Sequence, residues 1–237
     1  MAASPDHRPR VAAQRRESMR ARLLDAGLAT IVAHGVAGTS IDEIISAAQV
    51  SRGTFYKYFD SVTGLASQLA QALAHELGMV LDPLVTEEAD PALRVAVGSR
   101  MMLHFVRQHP IIGGLIVKSG WPDVDESHLF FALVRRDIAS GIRLKRFEPM
   151  PLDVAVNMVA GVMLGGMQSM VAGAARNYPE QATLRLLRGL GVSAAEAARL
   201  SATRLPRPVL PHEGIVARAI TPLAAHGAAH GAAPPDP

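Results

Sequence analysis

The sequence predicts an all-α fold on three observations, and its length allows either one large domain or a small domain joined to a larger one. Only 4% of its 237 residues are aromatic although 49% are hydrophobic. Leu, Ala, Val and Met must therefore fill the core, a composition that favours helices over strands. Apolar residues recur every three or four positions in successive windows, the helical period. Ser or Asp followed three residues later by Glu recurs ahead of those windows, the pattern of a capping box.

Composition also sets limits. There is no cysteine, which excludes disulfides, thiolate metal ligands and a Cys nucleophile and is compatible with a reducing cytoplasm. The first twenty residues carry no apolar stretch of the secretory kind, so a signal peptide is not expected. A net charge of +3 decides little, but Arg8, Arg10, Arg15, Arg16, Arg20 and Arg22 face only Asp6 and Glu17. Residues 1–16 are expected to form a flexible basic arm, either drawn to a polyanion or simply solvated.

The first helix is expected from Glu17 to His34, with Leu24, Leu28, Ile31 and Val32 on its apolar face and Gly35 closing it in the left-handed conformation. Ser40-Ile41-Asp42-Glu43 is a capping box. It opens a short second helix whose Ile41, Ile44, Ile45 and Ala48 share a face. Gln49-Val50-Ser51 is a tight connection into Arg52-Gly53-Thr54-Phe55-Tyr56-Lys57-Tyr58-Phe59. At 100° per residue, Phe55 and Phe59 point inward, Thr54, Lys57 and Tyr58 outward, and Tyr56 lies at the margin. Such hydroxyls around a cation are suited to phosphates and base edges. Taken alone, the same tyrosines could merely border a core. Two short helices across a three- or four-residue turn, behind a longer first helix, make up a helix-turn-helix.

The stretch from Thr39 to Leu65, TSIDEIISAAQVSRGTFYKYFDSVTGL, resembles the signature of TetR-type transcriptional regulators. In that family a helix-turn-helix ends in a Gly-Thr-hydrophobic-Tyr-x-x-Phe run. The resemblance implies a DNA-binding surface of Ser40, Ser51, Arg52, Thr54, Tyr56, Lys57 and Tyr58. Ser40 would hold a phosphate as well as cap its helix. Arg52, Thr54 and Lys57 would face the major groove or its edge, and Tyr56 and Tyr58 would bond phosphates. Three positions depart from the family pattern. Gln49 stands in the turn where Gly is usual, at roughly 1 kcal/mol of left-handed strain. Ile45 replaces a customary Ala between helices 2 and 3. Val62 stands where a phosphate-binding Lys is common, a change that weakens affinity generally rather than altering sequence preference.

Asp60-Ser61 caps a fourth helix with Leu65, Leu69, Leu73 and Leu77, expected to stop near Leu81 before Asp82-Pro83. The resemblance makes this helix the joint between a DNA-binding domain (17–63) and a helical ligand-binding and dimerisation domain (64–206). A fifth helix runs from Pro91 to His109, and a shorter one follows. After a break at Gly120-Trp121-Pro122, Asp123-x-x-Glu126 opens a helix through Phe130, Phe131, Val134, Ile138 and Ile142. Residues 154–175 carry no charge. By length they could span a bilayer, with Gly161-x-x-x-Gly165 as a packing motif. The resemblance offers another place for them, in a four-helix homodimer interface, where a helix can be apolar all round. Tyr178 to Leu205 forms two helices separated by Gly191-Val192-Ser193, with Ser193-x-x-Glu196 as a further capping box. The Ala-, Pro-, Gly- and His-rich tail 207–237 is expected to lack fixed structure.

Met101, Met102, Phe105, Trp121, Phe130, Met158, Met163 and Met167 are the candidate lining of an effector pocket, since Met is flexible and polarisable. Ordinary core packing explains the same residues. No catalytic motif is found, and His104 and His109 diverge on a helix, so neither metal nor other cofactor is expected. The reading is a cytoplasmic, non-enzymatic homodimer that binds operator DNA and releases it on taking up a small molecule. Its rivals are a ligand-binding protein without DNA affinity, a membrane-anchored helical protein and a helical enzyme.

Overall fold

A computed structural model describes residues 7–118 and 129–227, with side chains from 10 to 118 and 129 to 221. Among the described residues every regular element is a helix. They fall into two compact units, Met1–Leu69 and Ala70–Pro237.

The first unit holds α1 (His7–Gly38), α2 (Ile41–Ala48), α3 (Arg52–Tyr56) and the start of α4 (Val62–Thr86). Helix α1 begins ten residues earlier than expected, so most of the basic arm is helical. Its Ala and Arg residues are good helix formers, and Pro9 lies in the first turn, where its missing N–H is harmless. Residues 10–18 stay exposed. Within α1, Gly35 at φ 71 and ψ 166 breaks the helical path, where closure was expected. Leu23, Leu28 and Ile31 of α1 pack in a core with Ile44 of α2, Phe55 of α3 and Leu65 and Leu69 of α4, all nearly inaccessible to solvent. A Cβ on Gly27 would lie 2.4 Å from the Leu65 side chain, so only glycine permits that approach.

In the second unit α4 does not stop at Leu81 but continues through Pro83 to Thr86. The proline deprives the Met79 carbonyl of its helical donor. Met79 is 59% exposed, so water can replace that donor. The Thr86 hydroxyl donates to the Asp82 carbonyl at 2.9 Å and holds the final turn. Next come α5 (Pro91–Gln108), α6 (Pro110–Lys118), α7 (Leu129–Arg143), α8 (Leu152–Val171), α9 (Tyr178–Gly189) and α10 (Ala194–Ser201). The expected break at Gly120-Trp121-Pro122 and the Asp123–Glu126 cap lie outside the described residues.

Helix α8 packs against α5, α6, α7 and α9. It is the one helix among the described residues long and apolar enough to cross a bilayer, yet only 44% of that stretch is buried in this chain. Val154, Asn157, Gly161, Gly165, Gln168 and Val171 form its exposed stripe. The Ser193 hydroxyl accepts from Glu196 N–H at 3.3 Å, so half of the expected capping box is present. Instead of reaching back to Ser193, the Glu196 carboxylate takes a 2.8 Å hydrogen bond from Arg146.

The expected loss of order after Pro206 does not extend to α11 (Ile215–Gly227). Glu76 of α4 caps it, accepting from the N–H groups of Ile215 at 2.8 Å and Val216 at 3.3 Å. Val216 and Ala219 are fully buried. Gly214, at φ 106, brings this turn so close that any Cβ would strike the Glu76 carboxylate. Of the tail histidines, His212 is described, whereas His230 lies outside the described residues.

Candidate functional site

Helices α2 and α3 are held by reciprocal caps. Ser40 N–H donates to the Glu43 carboxylate at 2.8 Å and Glu43 N–H to the Ser40 hydroxyl at 3.3 Å. The bond from Ser40 N–H holds the Glu43 carboxyl below its ordinary value. Gln49 adopts φ 51 and ψ 51 in the turn, the left-handed conformation expected there. Ser51 caps α3, its hydroxyl accepting from Thr54 N–H at 3.1 Å. Its oxygen also lies 2.9 Å from the Thr54 hydroxyl.

Ser40, Ser51, Arg52, Tyr56 and Lys57 are exposed, while Thr54 and Tyr58 are half-buried. Tyr56, expected at the margin, is the most outward of the tyrosines at 50% exposure, and Tyr58 is turned further in than expected. A uniform 100° step misplaces them because α3 ends at Tyr56. Beyond it, Lys57 N–H bonds to the Thr54 carbonyl and Tyr58 N–H to the Phe55 carbonyl, a tighter winding. Phe55 and Phe59 point inward as expected, their ring centres 5.8 Å apart. Arg52 is already engaged, giving 3.0 Å bonds to both carboxylate oxygens of Asp42. Lys57 and Tyr56 present an exposed ammonium and an exposed phenol on this face.

In the second unit a cavity of about 90 Å³ opens between α4, α5, α7 and α8. Leu81, Val95, Met102, Leu133, Val159 and Met163 supply much of its apolar wall, and Phe130 and Val134 complete one side. Asp82, Arg94, Ser99 and Asp137 form a polar end. Arg136 braces that end from outside, giving bonds of 2.8 and 3.1 Å to Asp82 and of 3.0 and 3.1 Å to Asp137. These bonds, first those to Asp82, hold the Arg136 guanidinium protonated far above the usual range. Arg94 Nε lies 3.0 Å from Asp137 Oδ1. Its N–H is misaligned, so this buried donor has no hydrogen-bond acceptor among the described residues.

Of the expected pocket residues, the cavity gathers Met102, Phe130 and Met163. Met101, Phe105 and Met167 are buried in the packing but do not line it, and Met158 is half-buried. Phe105 stacks against His109 with ring centres 4.6 Å apart. The Met158 sulfur instead lies beside Gly189 of α9. Trp121 lies outside the described residues.

Two family models match the chain. That for bacterial regulatory proteins of the tetR family covers residues 23–69, and that for the tetracyclin repressor-like C-terminal domain covers residues 90–204. The chain belongs to the TetR family. An uncharacterized HTH-type transcriptional regulator of Mycobacterium tuberculosis is 30% identical over 102 residues, 43% of this chain and 50% of the relative. The HTH-type transcriptional repressor DhaR of Mycobacterium sp. strain GP1 is 25% identical over 79 residues, 33% of this chain and 40% of DhaR. This chain thus spans about half the length of the curated relatives it matches. Among solved structures, RolR in complex with resorcinol superposes with a TM-score of 0.69 at 26% identity, over 83% of this chain and 100% of RolR.

The polar end of this TetR-family cavity was overlooked in the sequence although a signal was present. Phe130, Leu133, Val134 and Asp137 stand at helical spacing, as do Gly78, Leu81, Asp82 and Val85. A carboxylate in phase with an apolar row is expensive to bury unless it is paired or put to use. Among the described residues no cluster of His, Asp and Glu has the arrangement of a metal site.

Proposed function

We propose that this chain is a homodimeric, cytoplasmic DNA-binding transcriptional regulator, a repressor that a small molecule releases from its operator. The exposed Tyr56–Lys57 pair at the end of a capped helix-turn-helix is the observation that carries this reading. A phenol and an ammonium, held by an inward Phe55–Phe59 pair, supply the groups that bond phosphates and base edges. Ser40, Ser51, Thr54 and Tyr58 add hydroxyls, and Arg52 contributes once it leaves Asp42. The cavity receives the effector, in line with the resorcinol bound by RolR. Helix α4 contributes Leu65 to the first unit's core and Asp82 and Val85 to the cavity wall, so its displacement provides the coupling. A differential affinity of about 1–3 kcal/mol corresponds to five- to 150-fold release.

The exposed α8 stripe forms the dimer face in this reading. A Cβ on Gly161 or Gly165 would meet nothing within 4 Å, which leaves room for close approach by a second helix. The protein works as a soluble dimer without membrane insertion or catalysis. One alternative has specific support. Arg52 bound to Asp42, together with Val62 at the start of α4, favours a ligand-binding protein without DNA affinity.

A mobility shift with duplex DNA from upstream of the gene separates the two. Regulation predicts a shifted band, weakened by Tyr56→Ala and by Lys57→Ala while sedimentation equilibrium still gives twice the chain mass. No shift with a folded dimer supports the alternative. An unchanged shift in both variants contradicts the assigned surface.

A further inference from the structure

We infer that the cavity recognises a small, uncharged, single-ring compound bearing a hydroxyl, and that Asp137 and Arg94 read that hydroxyl. This rests on the reading of the cavity as an effector site. The size sets the first limit. About 90 Å³ has no room for a long acyl chain or a nucleotide. An apolar cavity of roughly 150 Å³ takes benzene, and the adaptable side chains of Met102 and Met163 allow this one to open to a ring.

Charge sets the second limit. The polar end brings together two carboxylates, Asp82 and Asp137, and two guanidiniums, Arg94 and Arg136. The four charges cancel. An anionic ligand would bring an unmatched negative charge beside Asp82 and Asp137, and a cationic one an unmatched positive charge beside Arg94.

Hydrogen bonding sets the third. The Asp137 side chain is 9% exposed and that of Arg94 15%, so neither is freely solvated. The Arg94 N–H is left with no acceptor among the described residues, while a carboxylate oxygen retains accepting capacity beyond the bonds it already takes. A neutral hydroxyl does both tasks at once, donating to carboxylate and accepting from guanidinium. A plain hydrocarbon ring would fill the apolar wall and leave the buried donor unpaired, which is the unfavourable case. An amine or a carboxylate would meet only half of the requirement and unbalance the charge.

Isothermal titration of the full chain with phenol, resorcinol, toluene and benzoate tests this, with binding to the upstream duplex measured in parallel. Phenol and resorcinol should bind roughly ten- to hundredfold more tightly than toluene, and benzoate should bind least. Asp137→Asn should erase most of the preference for phenol over toluene. If Asp137→Asn does not fold by circular dichroism, Asp82→Asn, altering a carboxylate nearer the solvent, should reduce the same preference. Benzoate binding as tightly as phenol would overturn the inference. So would a preference for phenol that survives in the folded variants, or no binding of any ring by a chain that still binds duplex. Ring binding as described by a chain that never binds duplex would leave this inference intact and remove the proposed regulation.

Discussion

Gln49 shows what a single residue contributes to the reading head. Its backbone sits at φ 51 and ψ 51, and its N–H closes onto the carbonyls of Ile45 and Ser46 at the end of α2. An L side chain is disfavoured there by roughly 1–2 kcal/mol relative to the right-handed region. Its side chain recovers little, accepting from Arg22 at 3.5 Å between exposed groups. Gln49→Gly should therefore raise stability by about 0.5–1 kcal/mol in urea unfolding, and lower stability would mean that the Gln49 side chain matters more than its backbone. The strain was legible because turn position and residue type are both local. The Arg52–Asp42 pair was not, since its partners are ten residues apart and meet only when α2 and α3 cross. Asp137 lay between these cases: its helical phase is local, but its partner Arg94 comes from another helix.

At the scale of elements, periodicity and caps located most helices, and the departures came from contacts distant in sequence. Helix α11 is capped by Glu76, 139 positions before Ile215, a partner no local pattern could reveal in an Ala- and Pro-rich tail. Glu196 left its expected box because Arg146, in the turn between α7 and α8, competes for it. Arg146 also grips Asp90, the cap of α5, at 2.7 and 2.8 Å, and so ties α5, α10 and the α7–α8 turn together. The Arg146 bonds, foremost among several causes, hold the Asp90 carboxyl below its ordinary value.

A depressed carboxyl stabilises the fold fully above its unfolded value, about 3.9 for Asp. That contribution disappears as pH falls through the lower folded value. Arg146→Met should thus unfold at a lower temperature than the parent near neutral pH. The effect is roughly 1 kcal/mol, kept small because the pair is partly solvated. The two melting curves should converge once pH has fallen below that lower folded value. A difference that persists at that pH would assign the effect to packing by the Arg146 stem.

On the scale of the whole molecule, chain length allowed one domain or two, and a joint within the fourth helix followed only from the family resemblance. The compact units divide at Leu69 and Ala70, within α4, because Leu65 and Leu69 pack into the first core before the helix continues into the second unit. The apolar stretch 154–175 became α8, with neighbours on one side and an open stripe on the other, a distribution that composition could not give. The cavity required four helices to converge, so its methionines could not be separated beforehand from those that only fill space.

The central claim is that the Tyr56–Lys57 face binds duplex DNA, and salt dependence measures this most directly. Fluorescence anisotropy of labelled upstream duplex should give an affinity that falls linearly on logarithmic axes between 50 and 200 mM salt. Six to ten phosphate contacts would lower it by about 10³–10⁵. Lys57→Ala should make that slope shallower by about one unit. No association at the lowest salt, or a slope identical in wild type and Lys57→Ala, would contradict the account.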